Sequence, residues 1–215
     1  RAKDKLALDL LQEQINPHFL YNTLDNICSL AEIGESDTLI HVVMNLSKFY
    51  RRALSNGKVF ITIKEELELT EAYLHILQIR YFNKFDFNIT CKSELLGYNC
   101  LKLLLQPIVE NSIYHGVKEL SYKGLLKIHV FEENGAILLT VRDNGIGIDE
   151  VKIHELFYNQ ANHFGIKNIH QRIQLHYGQD YGLTIANHPD GGCITTIRIA
   201  KKGGTIHETK CSNSR

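Results

Sequence analysis

The period of the hydrophobic residues changes at Gly57, and that change divides the chain into two parts that cannot fold alike. Before it, Leu6, Leu10, Leu11, Ile15, Phe19, Asn22, Ile27 and Leu30 recur at near-helical spacing. Residues 4–32 therefore read as one long helix, interrupted at Pro17 and ended by Gly34. Ser36 or Asp37 can cap a second helix that runs through Leu39, Val42, Val43, Leu46, Phe49, Tyr50 and Leu54 and closes at Asn56-Gly57. Two helices joined by a few residues make an antiparallel hairpin. Its exposed apolar stripe is one that a second copy can cover, as a four-helix bundle.

After Gly57 the pattern mixes strands and helices. "KVFIT" reads as a short strand, and Thr62 with Glu65 forms a capping box for a helix reaching about Arg80. "KFDFNITC", residues 84–91, alternates like a strand. A helix is expected over 101–117, then two strands around Asn134-Gly135, a strong hairpin signal. A further helix, "GIKNIHQRIQLHYG", precedes two final strands around "HPDGG". The fold class expected is α+β, with a mixed, mainly antiparallel sheet covered by helices on one face. The expected division is 1–58 helical, 59–203 α/β and 204–215 a flexible, polar tail.

Charge and composition exclude several functions. Lys+Arg and Asp+Glu are equal at 24 each, so there is no basic footprint for a nucleic-acid backbone. The five cysteines are odd in number, widely spaced and without a CxxC pattern, as expected of reduced cytosolic thiols. The 11 histidines show no HExxH or similar spacing, so no structural metal is expected. No run of roughly 18 uncharged apolar residues is present to span a bilayer. The chain begins at Arg1 and not at a methionine, which reads as a piece of a longer protein.

Two stretches carry chemistry. In "QPIVENSIYHG", Glu110, Asn111 and His115 share a helix, with Asn111 and His115 at i and i+4. Buried polar groups in such a row need partners, because each unsatisfied one costs about 1–3 kcal/mol. In "VRDNGIGI", Asp143 ends a strand and two glycines flank a small apolar residue.

Together with "GIKNIHQRIQLHYG" and "GGCITTIRI", these stretches resemble the N box, first glycine box and lid region of GHKL-type (Bergerat-type) ATP-binding domains. With "QINPHFLYNTL" and "YLHILQIRYFNKF" added, the chain resembles, over about residues 10–202, the LytS/YesM-like group of bacterial sensor histidine kinases. The resemblance implies an N-terminal hairpin that dimerises as a four-helix bundle, followed by an α/β-sandwich ATP-binding domain. It implies that His18 is the phosphorylated histidine, and that Pro17, which cannot donate a helical hydrogen bond, bends the helix beside it. Asn22, one turn on, can orient the His18 ring, and Glu110 is the candidate proton acceptor.

For the nucleotide, the resemblance implies that Asn111 holds Mg²⁺, that His115 lies near the phosphates and that Asp143 accepts the adenine amino group. Gly145 and Gly147 admit a close backbone approach, Gly165 offers helix-terminal amides, and Arg172 and Arg80 are candidate phosphate contacts. ATP and Mg²⁺ are the implied cofactors. The implied partners are a second copy and a response-regulator receiver domain, in the cytoplasmic portion of a membrane-anchored parent. One departure stands out: His163 occupies the first position of the usual Gly-x-Gly before the lid helix. It keeps a second reading open, a dimeric ATP-binding scaffold that has lost transfer. A third, a GHKL kinase acting on a partner's serine, does not need the histidine-bearing hairpin.

Overall fold

A computed structural model describes residues 17–54, 58–118, 120–149, 151–153, 156 and 164–201. Residues 4–16 of the first expected helix, the Asn56-Gly57 stop, His163 and the tail from 204 lie outside these. Among the described residues no helix is long and apolar enough to cross a membrane.

Helix α1, Pro17–Glu32, ends at Gly34, whose φ of +77° suits a residue without a Cβ. The Glu35 N–H donates to the Leu30 carbonyl and the Gly34 N–H to that of Ala31, a Schellman closure. Helix α2, Ser36–Ala53, follows at once, with Glu35 and not Ser36 or Asp37 at its N-cap position. Glu35 makes no side-chain cap, and Asp37 instead sits in the first turn, where a carboxylate suits the helix dipole.

A short strand β1, Phe60–Thr62, leads into α3, Ile63–Arg80. The expected capping box is formed: Thr62 Oγ1 accepts from the Glu65 N–H, and the Thr62 N–H donates to Glu65 Oε2 at 2.8 Å. Strands β2 (Phe85–Cys91) and β3 (Asn99–Leu101) precede α4, Gln106–Asn111, which continues as a π-helical turn through Ser112–Val117. Then come β4 (Gly124–Glu133), β5 (Ala136–Asp143), α5 (Phe164–Tyr177), β6 (Gly182–Asn187) and β7 (Cys193–Ala200).

The main sheet has the order β2-β4-β5-β7-β6. Among the described residues only β2 and β4 run parallel, and β1 and β3 form a separate antiparallel pair. Asn134 and Gly135 turn the β4–β5 hairpin, both at positive φ, and Glu133 pairs with Ala136. Leu126, Ile128, Val130, Leu139, Ile197 and Ile199 from the sheet join Ile169 and Ile173 of α5 and Ile76 of α3 in one core. The mixed, mainly antiparallel sheet with helices packed on it agrees with the expected α+β class.

The helix expected over 101–117 begins later, at Gln106. The buried Glu66 carboxylate of α3 accepts the N–H groups of Leu103, Leu104 and Leu105 at 2.9, 2.7 and 2.9 Å. Leu103 takes a φ of +60° to present its amide. A tertiary acceptor therefore satisfies amides that the sequence pattern assigned to a continuous helix.

Candidate functional site

Three helices meet through aromatic rings beside His18. Phe19 of α1 is 2% exposed, with its ring 5.5 Å from that of Phe49 (α2) and 4.5 Å from that of Tyr73 (α3). Thr23 Oγ1 donates to the Phe19 carbonyl at 2.7 Å. With Phe19 held inward, His18 is exposed on the adjoining helix face. The Asn22 amide nitrogen lies 3.0 Å from His18 Nδ1 and 3.1 Å from Nε2. The lone-pair directions of those two nitrogens diverge in the ring plane, so one amide this near to both meets the ring across its face.

His18 lines a cavity of about 420 Å³ with Arg80, Glu110, Asn111, His115 and Gly165. The Tyr73 hydroxyl donates to Glu110 Oε1, and Gln106 Nε2 approaches the same oxygen at 3.4 Å. Burial pushes the Tyr73 hydroxyl well above its usual pKa, reinforced by the adjacent Glu110 charge, so Tyr73 stays protonated and donates.

A second cavity, of about 890 Å³, opens between α4, the end of β5 and the β6–β7 turn. It shares Asn111, His115 and Leu156 with the first. Asp143 stands on its wall at 2% exposure, and its Oδ1 accepts the Gly145 N–H at 2.9 Å and the Cys193 N–H at 3.1 Å. The glycines around it are required by space: a Cβ on Gly145 would stand 2.3 Å from the Gly116 carbonyl oxygen, and one on Gly192 would stand 2.0 Å from the Asp143 carbonyl oxygen. Gly147 has a φ of +78°. Beyond it, Asn187 pins the loop, accepting from the Ile148 N–H and donating to its carbonyl, both at 2.8 Å. Burial, and next the Asp143 charge, push the Cys193 thiol up to about 11, so it remains a neutral wall of the cavity.

These features fit a nucleotide. The volume lies within the range of about 300–1,000 Å³ usual for ligand sites. The Asp143 carboxylate is held rigidly by backbone amides, and the glycines at 145 and 192 let the backbone around it pack closer than any Cβ would allow. Mg²⁺ needs few protein ligands when phosphate oxygens and water complete its shell, so the one Asn111 amide oxygen at the junction suits it. Among the described residues no group of three or more His, Cys, Asp or Glu is placed to hold a metal.

The expected site residues are brought together with one exception. His18, Glu110 and Gly165 line the first cavity, Asp143 and Gly147 the second, and Asn111 and His115 both, while Asn22 touches His18 and Gly145 backs Asp143. Arg80 also reaches the first cavity. Arg172 lines neither cavity: its guanidinium donates to the Lys102 carbonyl at 2.9 Å, in a buried cluster with Glu66. A Cβ on Gly165 would only touch Pro107 at 3.5 Å, an ordinary contact. His163, on which the scaffold reading depends, is outside the described residues.

Sequence reading missed Tyr73, Asn187, Gly192 and Thr195. Tyr73 opens "YLHILQIRYFNKF", and Gly192 and Thr195, which line the second cavity, lie in "GGCITTIRI", but these stretches gave no role to the single residues; the Glu110 partner of Tyr73 and the Ile148 partner of Asn187 are remote in sequence.

Two family models match in tandem: "Histidine kinase" over residues 6–85 and "Histidine kinase-, DNA gyrase B-, and HSP90-like ATPase" over residues 99–203. The sensor histidine kinase YesM of Bacillus subtilis is 33% identical over 192 residues, covering 89% of this chain and 33% of the relative. The chain thus spans about a third of the length of the curated relatives it matches. Among solved structures, the catalytic domain of histidine kinase ThkA superposes with a TM-score of 0.54 at 16% identity, covering 67% of this chain and 97% of that one. ThkA in complex with the response regulator protein TrrA gives 0.51 at 13% identity, covering 94% and 65%. At these identities the structures establish the shared fold.

Proposed function

The chain belongs to the sensor histidine kinases of the LytS/YesM-like group, and from that premise we propose that it is the transmitter part of such a kinase, phosphorylating its own His18 from ATP. The observation that carries the reading is the shared wall: His18 lines a cavity that adjoins the Asp143 cavity through Asn111 and His115. ATP is the substrate that supplies the phosphoryl group.

Asp143 receives the adenine amino group, with Gly147 on the same cavity wall and Gly145 behind it, its N–H holding the Asp143 carboxylate. Asn111 would hold Mg²⁺ through its amide oxygen, and the ion would supply neutralisation of the phosphate charge. His115 lies at the phosphate end, together with Arg80 and Gly165. Asn22 fixes the plane of the His18 ring, and Glu110, held by Tyr73, accepts the ring proton. Catalysis by these groups is mostly positioning and charge neutralisation.

The phosphoryl group then passes to an aspartate on a response-regulator receiver domain. Tyr21 and Leu24 of α1 and Ile40, Val43 and Met44 of α2 are exposed at helical spacing. A second copy covers them in a homodimer. The parent protein is membrane-anchored, with this part on the cytoplasmic side.

The test is incubation with γ-labelled ATP and Mg²⁺, comparing the chain with His18→Gln. An acid-labile label that disappears in the variant is the expected result. A chain that binds ATP but acquires no label on His18 would reject the reading.

A further inference from the structure

We infer that transfer to His18 takes place within one chain, from the nucleotide bound by the same polypeptide that carries the histidine. The inference rests on the kinase reading above and adds which copy supplies the nucleotide. In a dimer, that could be either copy.

A continuous path of contacts ties His18 to its own cleft. Phe19, the next residue, is buried against Phe49 and Tyr73 of the same chain. The Tyr73 hydroxyl holds Glu110, which adjoins Asn111, and Asn111 lines both cavities. Carrying His18 to another copy's cleft requires withdrawing Phe19 from this aromatic socket and exposing its ring. Dimerisation does not demand that. At about 100° per residue, Tyr21 and Leu24 project from the side of α1 roughly opposite Phe19, so a second copy seated there leaves the socket closed.

The chemistry then needs only local movement. A ring nitrogen of His18 donates its lone pair to the γ-phosphorus. The bond from that phosphorus to the β,γ-bridging oxygen breaks, and its electron pair leaves with ADP. The proton on the other ring nitrogen is lost to Glu110. An arrangement that already places donor and acceptor in adjoining cavities gains the advantage of an intramolecular reaction.

The experiment pairs an untagged wild-type chain with a tagged Asp143→Asn chain, which keeps His18 but loses the adenine contact. Heterodimers are captured through the tag after exposure to γ-labelled ATP and Mg²⁺. Label confined to the wild-type copy, at its full rate per chain, is the expected result. Label on the Asp143→Asn copy, with the wild-type copy unlabelled, overturns the inference. If the two chains do not exchange on mixing, they are co-expressed with different tags and purified through both, and the same pattern decides: label on the wild-type copy alone supports transfer within the chain, and label on the Asp143→Asn copy alone overturns it. A wild-type homodimer that acquires no label rejects the kinase reading itself, a different outcome from any of these.

Discussion

The hydroxyl of Tyr73 donates to the carboxylate of Glu110, while the ring of the same tyrosine lies 4.5 Å from that of Phe19. One side chain of α3 thus touches both the residue beside the candidate nucleophile and the candidate proton acceptor. Replacing Tyr73 by Phe keeps the ring contact and removes only the hydroxyl. Stability should change by about 1 kcal/mol, the usual net value of a hydrogen bond. The rate of His18 labelling should fall about tenfold, part of the effect of a positioned acid–base group, with KM for ATP unchanged. Single-turnover labelling over a range of ATP concentrations separates the two constants, and a matching rise in KM would count against a positioning role.

The Gly145 position tolerates no side chain, because its Cβ would stand 2.3 Å from the Gly116 carbonyl oxygen, part of a backbone that cannot swing aside. Gly145→Ala should therefore cost about 1–3 kcal/mol and abolish binding of a fluorescent nucleotide. Gly97→Ala, where nothing lies within 4 Å, serves as the control and should change neither.

The Thr62–Glu65 box predicts a defined response to acid. The Thr62 backbone N–H, the largest favourable influence, holds the Glu65 carboxyl below its usual range, against a smaller opposing effect of burial. The folded state therefore favours the ionised form, and the stabilisation is complete above the ordinary Glu value of about 4.3 and lost as pH falls through the lower folded value. The stability difference between the wild type and Glu65→Ala should be constant near neutral pH and shrink during acid titration. At neutral pH, Thr62→Ala should cost about 1 kcal/mol in urea unfolding.

Lys102 joins the helical hairpin to the sheet domain: its buried ammonium donates to the Ala53 carbonyl, at the end of α2, at 2.7 Å. Burial lowers its pKa, against the raising effect of the nearby Glu66 charge. Lys102→Met leaves that carbonyl without its donor and should lower stability by about 1–3 kcal/mol. Nucleotide titration should remain near normal while His18 labelling slows, because the linkage it weakens lies between the hairpin and the nucleotide domain. An equal loss in both would place Lys102 in the nucleotide site instead.

Local chemistry made much of this protein legible in advance. The Asn134-Gly135 hairpin, the Thr62–Glu65 cap, the stop at Gly34 and the alternation in β2 each depend on residues within a few positions of one another. The two chemistry-bearing stretches around Glu110 and Asp143 were also visible, since their glycines and polar residues are adjacent in sequence.

Long-range contacts decided the rest. Helix α4 starts at Gln106 because Glu66, nearly forty residues earlier, takes three amides that no local pattern reveals. Arg172 turns to the Lys102 carbonyl because packing places that acceptor beside its half-buried guanidinium, within the electrostatic reach of the Glu66 carboxylate. The sequence by itself determined the elements and the kinds of chemistry they carry, since helix period, turn residues and caps act over one or two turns. Only the tertiary structure brought Phe19, Tyr73 and Glu110 into one line and set His18 beside the nucleotide cavity, because aromatic burial and hydrogen bonding between distant segments depend on how the elements pack.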